Sequence, residues 1–159
     1  MDRSPNSGNG EVPANLSVVI PTFRRPRQLM ETLQHTLACW PRPAEIIVHV
    51  DAGDSETAPI VRARFPQVRL LTSETLQGPG GARNRLLAEA RCPIVVSLDD
   101  DSYPMDKDFF LAVIRAFNAH PRAGVLAMAI IHDGETPVPR QAGDAVVADF
   151  VNCGSAYRR

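Results

Sequence analysis

An α/β fold with a doubly wound, mostly parallel sheet is predicted by two features of the sequence. Short runs that are almost wholly apolar alternate along the chain with segments of amphipathic helical periodicity. Strands buried on both faces have this continuous apolar character, and their alternation with helices is typical of a parallel sheet covered on both sides. Ligands of such sheets bind beyond the carboxyl ends of the strands, where this chain has polar and acidic loops.

The first part of the chain predicts two strands, each followed by a helix. The apolar, β-branched run 16–20 stops at Pro21, which suits a buried strand whose exit loop begins there. Apolar residues three and four positions apart over 27–38 form one stripe on a helix. The second strand covers 45–50, and the turn after it supplies Ser55 as the cap of a helix that reaches about residue 65.

The second part of the chain continues the alternation. A strand is predicted at 68–72, and the glycine-rich stretch Gly78-Pro-Gly-Gly81 is interpreted as a flexible loop that opens the next helix. Aromatic and aliphatic residues at helical spacing predict another helix over 106–119. The remaining predicted strands are 93–98, which runs into Asp99-Asp-Asp101, and 123–131, with 144–151 as a candidate further strand.

Composition excludes several classes of function. Seventeen basic and eighteen acidic residues give a net charge of −1, so no basic surface for nucleic acid is expected. No apolar run approaches the roughly 20 residues that cross a bilayer, and no transmembrane segment is predicted. The polar residues 1–15 contain no apolar stretch that could serve as a signal peptide, and they are expected to be a disordered tail before one domain, 16–159.

The cysteines indicate a reducing environment. Cys39, Cys92 and Cys153 are odd in number, lie far apart and lack the spacing of a metal site. They are expected to be reduced thiols in a cytosolic protein.

Three successive carboxylates follow a predicted strand at Asp99-Asp-Asp101. Like charges this close raise one another's pKa unless a cation intervenes, so a divalent ion is a natural partner. Oxygen ligands favour magnesium or manganese, Mg²⁺ or Mn²⁺, which take one or two carboxylates and complete their shell with water and substrate phosphates. The alternative interpretation is a solvated acidic turn before a helix.

A carboxylate also follows the neighbouring predicted strand. Asp51 could accept from a base imide or a ribose hydroxyl, or it could be a turn former. The segment Gly78-Pro-Gly-Gly-Ala-Arg-Asn84 could bring backbone amides and the positive end of a helix to a phosphate, with Arg83 adding charge. Neither G-x-G-x-x-G nor G-x-x-x-x-G-K-[ST] occurs, so dinucleotide and P-loop sites lack their fingerprints.

Other conspicuous side chains are given structural roles first. His35 and His49 are isolated on a predicted helix and strand, and satisfied structural histidines are expected. Trp40 is expected to pack at a helix end, with stacking on a sugar as the alternative. His132, after a predicted strand, is a candidate contact for a metal or a phosphate.

Taken in order, the motifs of this chain resemble those of family 2 glycosyltransferases. The motifs are Ser17-Val-Val-Ile-Pro-Thr-Phe23, Asp51-Ala-Gly-Asp-Ser-Glu56, Gly81-Ala-Arg-Asn84 and Leu98-Asp-Asp-Asp101. The resemblance covers nearly everything from Leu16 onward, and Cys153-Gly-Ser-Ala-Tyr-Arg-Arg159 is similar to the segment that enters the family's acceptor half.

The resemblance implies a GT-A fold with a Rossmann-like nucleotide-binding half. The residues that it implies as contacts of the nucleotide sugar are Pro21, Thr22, Phe23, Arg25, Asp51, Gly53, Gly81, Arg83, Asp99 and Asp100. Asp99-Asp100-Asp101 corresponds to the DXD-type motif, with Asp99 and Asp101 holding Mn²⁺ or Mg²⁺ and Asp100 or Asp99 facing the ribose.

Two departures from the family's pattern stand out. Ala52 occupies the position where the family usually has a second aspartate, which affects the expected base and ribose contacts. The catalytic base of the family is expected beyond Arg159, so the chain is interpreted as an N-terminal, truncated part. Neither Asp144 nor Asp149 has a context that resembles the base motif.

The implied function is inverting transfer of a sugar from a UDP-, GDP- or dTDP-linked donor to a hydroxyl of a saccharide, a lipid or another acceptor. A cytoplasmic location is expected, with peripheral association at the inner face of the membrane as an option. Two alternatives stay open: a donor-binding fragment without complete catalytic machinery, and a sugar nucleotidyltransferase. The second usually has a glycine-rich basic loop after the first strand, whereas Pro21-Thr-Phe-Arg-Arg-Pro26 is basic but has no glycine.

Overall fold

The computed structural model describes residues 13–132, 134–135 and 145–159, and their elements form a six-stranded sheet with helices on both faces. The strands are β1 (Ala14–Thr22), β2 (Pro43–Val50), β3 (Arg69–Thr72), β4 (Ile94–Ser97), β5 (Val125–Ala127) and β6 (Ser155–Arg158). The helices are α1 (Pro26–Ala38), α2 (Thr57–Arg64), α3 (Gly78–Glu89) and α4 (Phe109–Ala119).

The strand order places three loops at one edge of the sheet. The order is β3-β2-β1-β4-β6-β5, in which β1 to β4 are parallel and β6 runs antiparallel to both β4 and β5. Val18 of β1 is paired with Ile46 of β2 and with Val96 of β4. Because β1, β2 and β4 are adjacent and parallel, the loops after them leave the sheet side by side.

The core consists of two hydrophobic clusters, one on each face of the sheet. Successive residues of a strand point to opposite faces, so Val18 belongs to the larger cluster and Val19 to the smaller. Buried residues of α1, α2 and α4 complete the larger cluster, and Leu86 of α3 completes the smaller. Helices on both faces confirm the predicted doubly wound, mostly parallel fold.

Strand β1 continues past the predicted stop at Pro21. Its residues Pro21 and Thr22 still pair with β2. Val19 faces β4, since its carbonyl accepts the N–H of Leu98, and the ladder with β4 ends at this residue. Pro21, two residues later, has its ring nitrogen on the same side, where no ladder remains, so the missing N–H costs no hydrogen bond.

The starts of two helices also differ from the predictions. The predicted cap of α2 at Ser55 is wrong, because α2 begins at Thr57 and the Asp54 carboxylate accepts the N–H groups of Glu56 and Thr57, at 3.2 and 3.0 Å. Aspartate satisfies free N–H groups at a helix start as well as serine does. The stretch predicted as a flexible loop, 78–81, is instead the first turn of α3.

The carboxyl-terminal strands were the least predictable. Strand β5 is much shorter than the predicted 123–131, and residues 145–151 form no strand, while residue 144 lies outside the described residues. Strand β6 was not predicted at all, since its short polar sequence gains strand structure only by pairing between β4 and β5. At the other end, Ala14 and Asn15 belong to β1 and not to the predicted tail, whose residues 1–12 are not described.

The three cysteines and the helices can be compared with the predictions of reduced thiols and of no transmembrane segment. Cys39, Cys92 and Cys153 are free thiols, and burial together with the Asp108 charge raises the pKa of Cys39 to about 11. Across the ranges that the structure describes, no helix combines the length and the apolar character needed to cross a membrane.

A polar network at the amino-terminal side of the sheet ties β1, β2 and β3 together. Glu45 accepts hydrogen bonds from the Ser17 hydroxyl at 2.7 Å, the Arg91 N–H at 3.0 Å and the Arg69 guanidinium at 3.2 Å. Burial alone would raise the pKa of Glu45, but these donors outweigh burial and hold the pKa below its ordinary 4.5. The charged form of Glu45 therefore stabilises the fold.

Glu45→Gln is expected to lower the free energy of unfolding by about 1–2 kcal/mol at pH 7, because charge-assisted hydrogen bonds are weakened. A depressed pKa gives stability that is present above pH 4.5 and lost on acidification, so the difference from wild type should shrink towards pH 3. Urea denaturation of wild type and variant across pH 3–7 measures this difference in unfolding free energy. Glu89→Gln is the matched control, because Glu89 is a more exposed partner of Arg69. Equal losses of unfolding free energy in both variants would contradict the stabilising role of Glu45.

Candidate functional site

A cavity of about 510 Å³ lies beyond the carboxyl ends of β1, β2 and β4. The loops after these strands and the first turns of α3 form its walls. Its lining residues are Pro21, Thr22, Phe23, Arg25, Asp51, Leu76, Gly78, Pro79, Ala82, Arg83, Asp99, Asp100 and Asp101. The motifs that lie far apart in the sequence therefore meet in one pocket at the expected edge of the sheet.

Only two of the predicted site residues do not line this cavity, Gly53 and Gly81. Gly53 has a φ of +85°, a left-handed backbone conformation that glycine adopts without strain, and its carbonyl accepts a hydrogen bond from Arg24 Nε at 3.1 Å. At Gly81, a Cβ atom would lie 3.3 Å from Cβ of Gln77. Gly53 lies in the turn after β2 and Gly81 in the first turn of α3, and neither is among the residues that line the cavity.

Asp100 is the buried member of the acidic loop. Its carboxylate accepts the Thr22 hydroxyl at 2.8 Å, and its carbonyl accepts the Thr32 hydroxyl at 3.0 Å. The residue is only 7% exposed. Burial raises the pKa of Asp100, and the charge of Asp101 adds to this, although Thr22 and Arg25 act in the opposite direction. Asp100 is therefore fixed in place by β1 and α1.

Asp101 is the exposed member, and it forms an ion pair with Arg25. The Arg25 Nη1 atom lies 2.7 Å from Asp101 Oδ2 and 3.4 Å from Asp100 Oδ1. The Arg25 and Asp101 side chains are each 52% exposed. This pair is open to solvent and to any ligand that enters the cavity.

Asp99 is paired with the second arginine of the site. The Arg83 guanidinium donates to Asp99 Oδ1, and its Nε donates to the Ser97 hydroxyl at 2.9 Å. On the other side, the Asp99 N–H donates to the Ser102 hydroxyl oxygen, which also accepts from the Cys153 thiol, both at 2.9 Å. Arg83 of α3 and Cys153, two residues before β6, thus hold the acidic loop from opposite sides.

Asp51 closes the cavity where β2 meets α3. Its buried carboxylate accepts the Ser73 hydroxyl at 2.8 Å and the backbone N–H groups of Ala52, Gln77 and Gly78 at 2.9, 2.9 and 2.8 Å. Burial alone would raise the pKa of Asp51, but these donors lower it below the ordinary 3.8. Because Asp51 already accepts the N–H groups of Gln77 and Gly78 at the start of α3, these two groups are not open to a phosphate here.

The acidic loop offers ligands of the type that Mg²⁺ and Mn²⁺ take. The side chains of Asp99 and Asp101 are 41% and 52% exposed and border the same cavity. Within the described ranges, no group of three or more His, Cys, Asp or Glu side chains could hold a metal on its own. Exposed carboxylate oxygens of this kind suit an ion that keeps waters and shares its coordination with substrate phosphates.

Leu76 is the wall residue that sequence reasoning missed. It is 67% exposed at the rim of the cavity, and the available signal was an apolar residue inside the polar stretch Ser73–Gln77. Together with Phe23, which also lines the cavity and is 39% exposed, Leu76 gives the rim an apolar surface. Three supporting serines carried no comparable signal in the sequence: Ser73 donates to the Asp51 carboxylate, Ser97 accepts from Arg83 Nε, and Ser102 accepts from the Asp99 N–H.

The remaining candidates lie away from the cavity. His35 stacks on Tyr103 with ring centroids 4.0 Å apart, and His132 is exposed and does not line the cavity. His49 is fully buried in β2, where neither ring nitrogen has a hydrogen-bond partner from another described residue; burial, aided by Arg85, lowers its pKa. Trp40, predicted to pack at the helix end, is 61% exposed and does not line the cavity.

Comparison with known sequences gives one family match. The sequence model described as Glycosyl transferase family 2 matches residues 17–153. Among curated proteins, none matches the chain.

Comparison with solved structures gives the same fold in two glycosyltransferase systems. S. aureus TarS has a TM-score of 0.69 at 24% identity over 90% of this chain and 46% of that chain. TarS in complex with UDP-GlcNAc gives 0.62 at 27% identity over 79% and 37% of the two chains. The mannosyltransferase PcManGT from Pyrobaculum calidifontis, in complex with GDP-Man and Mn²⁺, gives 0.65 at 22% identity over 74% and 36%. The chain thus spans less than half of each of these relatives.

Proposed function

Because this chain belongs to glycosyl transferase family 2, we propose that its cavity binds the nucleotide-diphosphate part of a sugar donor whose sugar is transferred to an acceptor hydroxyl with inversion. The observation that carries the proposal is the composition of this cavity. It combines apolar rim residues, two buried carboxylates, two arginines and two exposed carboxylates at the carboxyl edge of a parallel sheet. Apolar surface suits a base, a buried carboxylate suits a ribose hydroxyl, and arginines with exposed carboxylates suit a diphosphate and its metal ion.

We assign the nucleoside to the side of the cavity formed by β1, β2 and α3. Phe23 and Leu76 are 39% and 67% exposed and offer apolar surface to a base. Asp100, whose position is fixed by Thr22, is suited to accept a ribose hydroxyl. The two structures with UDP-GlcNAc and GDP-Man support a uridine or guanosine donor among the candidates.

We assign the diphosphate to the side formed by the acidic loop and the two arginines. Arg25 and Arg83 supply guanidinium groups that match phosphate oxygens. Asp99 and Asp101 would hold the divalent ion, which supplies positive charge that stabilises the departing diphosphate. The presence of Mn²⁺ in the PcManGT complex supports manganese or magnesium as the ion.

The reaction also needs a base that takes the proton of the acceptor hydroxyl. Within the described residues, the carboxylates of the cavity are those of Asp51, Asp99, Asp100 and Asp101, and we assign each of them another role.

The proposed acceptor is a saccharide, a lipid or another hydroxyl compound. The free thiols, two of them buried, support a cytoplasmic setting, with lipid acceptors reached at the inner face of the membrane.

Donor binding is tested by thermal unfolding with UDP-, GDP- and dTDP-sugars, each with and without Mn²⁺. One nucleotide class is expected to stabilise the protein, and more so with Mn²⁺; saturation at 100 times Kd adds about 2.7 kcal/mol. Free sugars without the nucleotide are the control and should have no effect. Absence of stabilisation by every nucleotide sugar would refute the proposal, and a transfer and donor-hydrolysis assay separates an enzyme from a donor-binding fragment.

A further inference from the structure

We propose that Arg25 is a built-in counter-cation of the acidic loop, which a divalent ion displaces from Asp101 and which then binds the donor diphosphate. The inference rests on the proposed function, because it assumes that the ion and the donor share the cavity. It adds an exchange: one guanidinium neutralises the carboxylate before the ligands arrive and a phosphate afterwards. Metal binding and donor binding are then coupled through this one side chain.

The backbone holds Arg25 at the edge of the cavity. The preceding residue, Arg24, has a φ of +56°, and its N–H donates to the Asp54 carboxylate at 2.7 Å, so the chain turns sharply after β1. Arg25 is the N-cap residue of α1, and its carbonyl accepts the N–H of Leu29 at 3.1 Å. With the main chain anchored on both sides, only the half-exposed side chain of Arg25 is free to change partners.

Exposure distinguishes the Arg25–Asp101 pair from the two other ion pairs of the loop. Asp100 is 9% exposed at the side chain and is held by Thr22, and Arg83 is 11% exposed and is held by Ser97. In the Arg25–Asp101 pair both side chains are 52% exposed. An ion pair between two exposed groups contributes little stability and is readily exchanged. Asp101 is also one of the two proposed ligands of the divalent ion.

The two cations compete for the same atom. Arg25 Nη1 lies 2.7 Å from Asp101 Oδ2, so an ion that binds this oxygen must displace the guanidinium or face its charge. With a diphosphate present, the released guanidinium gains phosphate oxygens as new partners, for which its planar geometry is suited. Arg25 therefore opposes metal binding in the absence of nucleotide and favours donor binding in the presence of metal.

Arg25→Gln separates these two effects, because it removes the charge and keeps most of the stem. Without nucleotide, Mn²⁺ titrated alone and followed by electron paramagnetic resonance is expected to bind roughly two- to fivefold more tightly than to wild type, the range of an exposed ion pair. With saturating Mn²⁺, UDP or GDP measured by calorimetry is expected to bind roughly tenfold more weakly, as for loss of one charge-assisted contact.

Arg24→Gln is the matched control, since it removes the same charge one residue earlier from a side chain that bonds Gly53 and lies over Phe23. Its Mn²⁺ affinity should equal that of wild type, and Arg25→Lys should lose donor affinity but retain competition with the metal. Unchanged or weaker Mn²⁺ binding by Arg25→Gln would overturn the inference. Failure of wild type and Arg25→Gln alike to bind Mn²⁺ alone would overturn the inference, whereas failure to bind Mn²⁺ even with UDP or GDP present would overturn the proposed metal site, so the two failures are told apart.

Discussion

Asp101→Ala is expected to abolish the part of donor affinity that depends on a divalent ion. Asp101 is half exposed, is one of two carboxylates free to share an ion with phosphates, and has Arg25 as its protein partner. Without its oxygen the ion retains a single exposed carboxylate, Asp99, which is itself paired with Arg83. We expect the nucleotide-sugar affinity measured with Mn²⁺ to fall on the order of a hundredfold, to about the affinity measured without metal.

Isothermal titration calorimetry with and without Mn²⁺ measures the two affinities directly. The fold should be unaffected, because an exposed ion pair contributes at most about 1 kcal/mol. Asp108→Ala is the control, because Asp108 is exposed, makes no capping hydrogen bond and does not line the cavity. If Asp101→Ala kept the full Mn²⁺-dependent gain, the metal assignment would be refuted.

Asp51→Ala is expected to weaken nucleotide binding even without metal, and to destabilise the fold at the same time. The Asp51 carboxylate connects the end of β2 to Ser73 and to the first N–H groups of α3, whose Gly78, Ala82 and Arg83 line the cavity. Its loss leaves these donors without partners in a largely buried site, at a cost of about 3 kcal/mol. Metal-free nucleotide affinity should fall roughly tenfold, as the wall formed by α3 loosens.

Two measurements check the Asp51 prediction, urea denaturation and metal-free nucleotide titration. The lowered pKa of Asp51 means that its stabilisation is present above pH 3.8 and is lost as the pH falls below it, so wild type and variant should converge in acid. Ser73→Ala, which removes one of the donors, should lose a fraction of the stability. Stability equal to wild type at pH 7 would contradict the role of Asp51 at this helix start.

Much of the fold was predictable because its signals are local. Apolar runs such as 45–50 cannot be exposed, so β2 was predicted nearly in full. The convergence of three loops, two of which carry carboxylates, also followed from sequence, because strands that alternate with helices place their ends on one edge. Strand β6 was missed for the opposite reason: Ser155–Arg158 is short and polar, and its hydrogen bonds come from two strands distant in sequence.

The residues of the candidate site were predictable from the sequence, but their burial and pairing were not. The residue types at 21–25, 83 and 99–101 carried enough information to select nearly all of the cavity's charged groups in advance. Their individual situations did not follow, since burial of Asp100 depends on β1 and α1, and four of the five hydrogen bonds that the Asp51 carboxylate accepts come from residues 22 to 27 positions away.

The sequence by itself determined the alternation of strands and helices, the acidic loop and the family of this protein, since each depends on neighbouring residues along the chain. The tertiary structure alone decided which carboxylate is buried, which is paired with Arg25 or Arg83, and which caps a helix. Such differences arise because burial and charge pairing depend on distances between segments, and only the folded chain sets those distances.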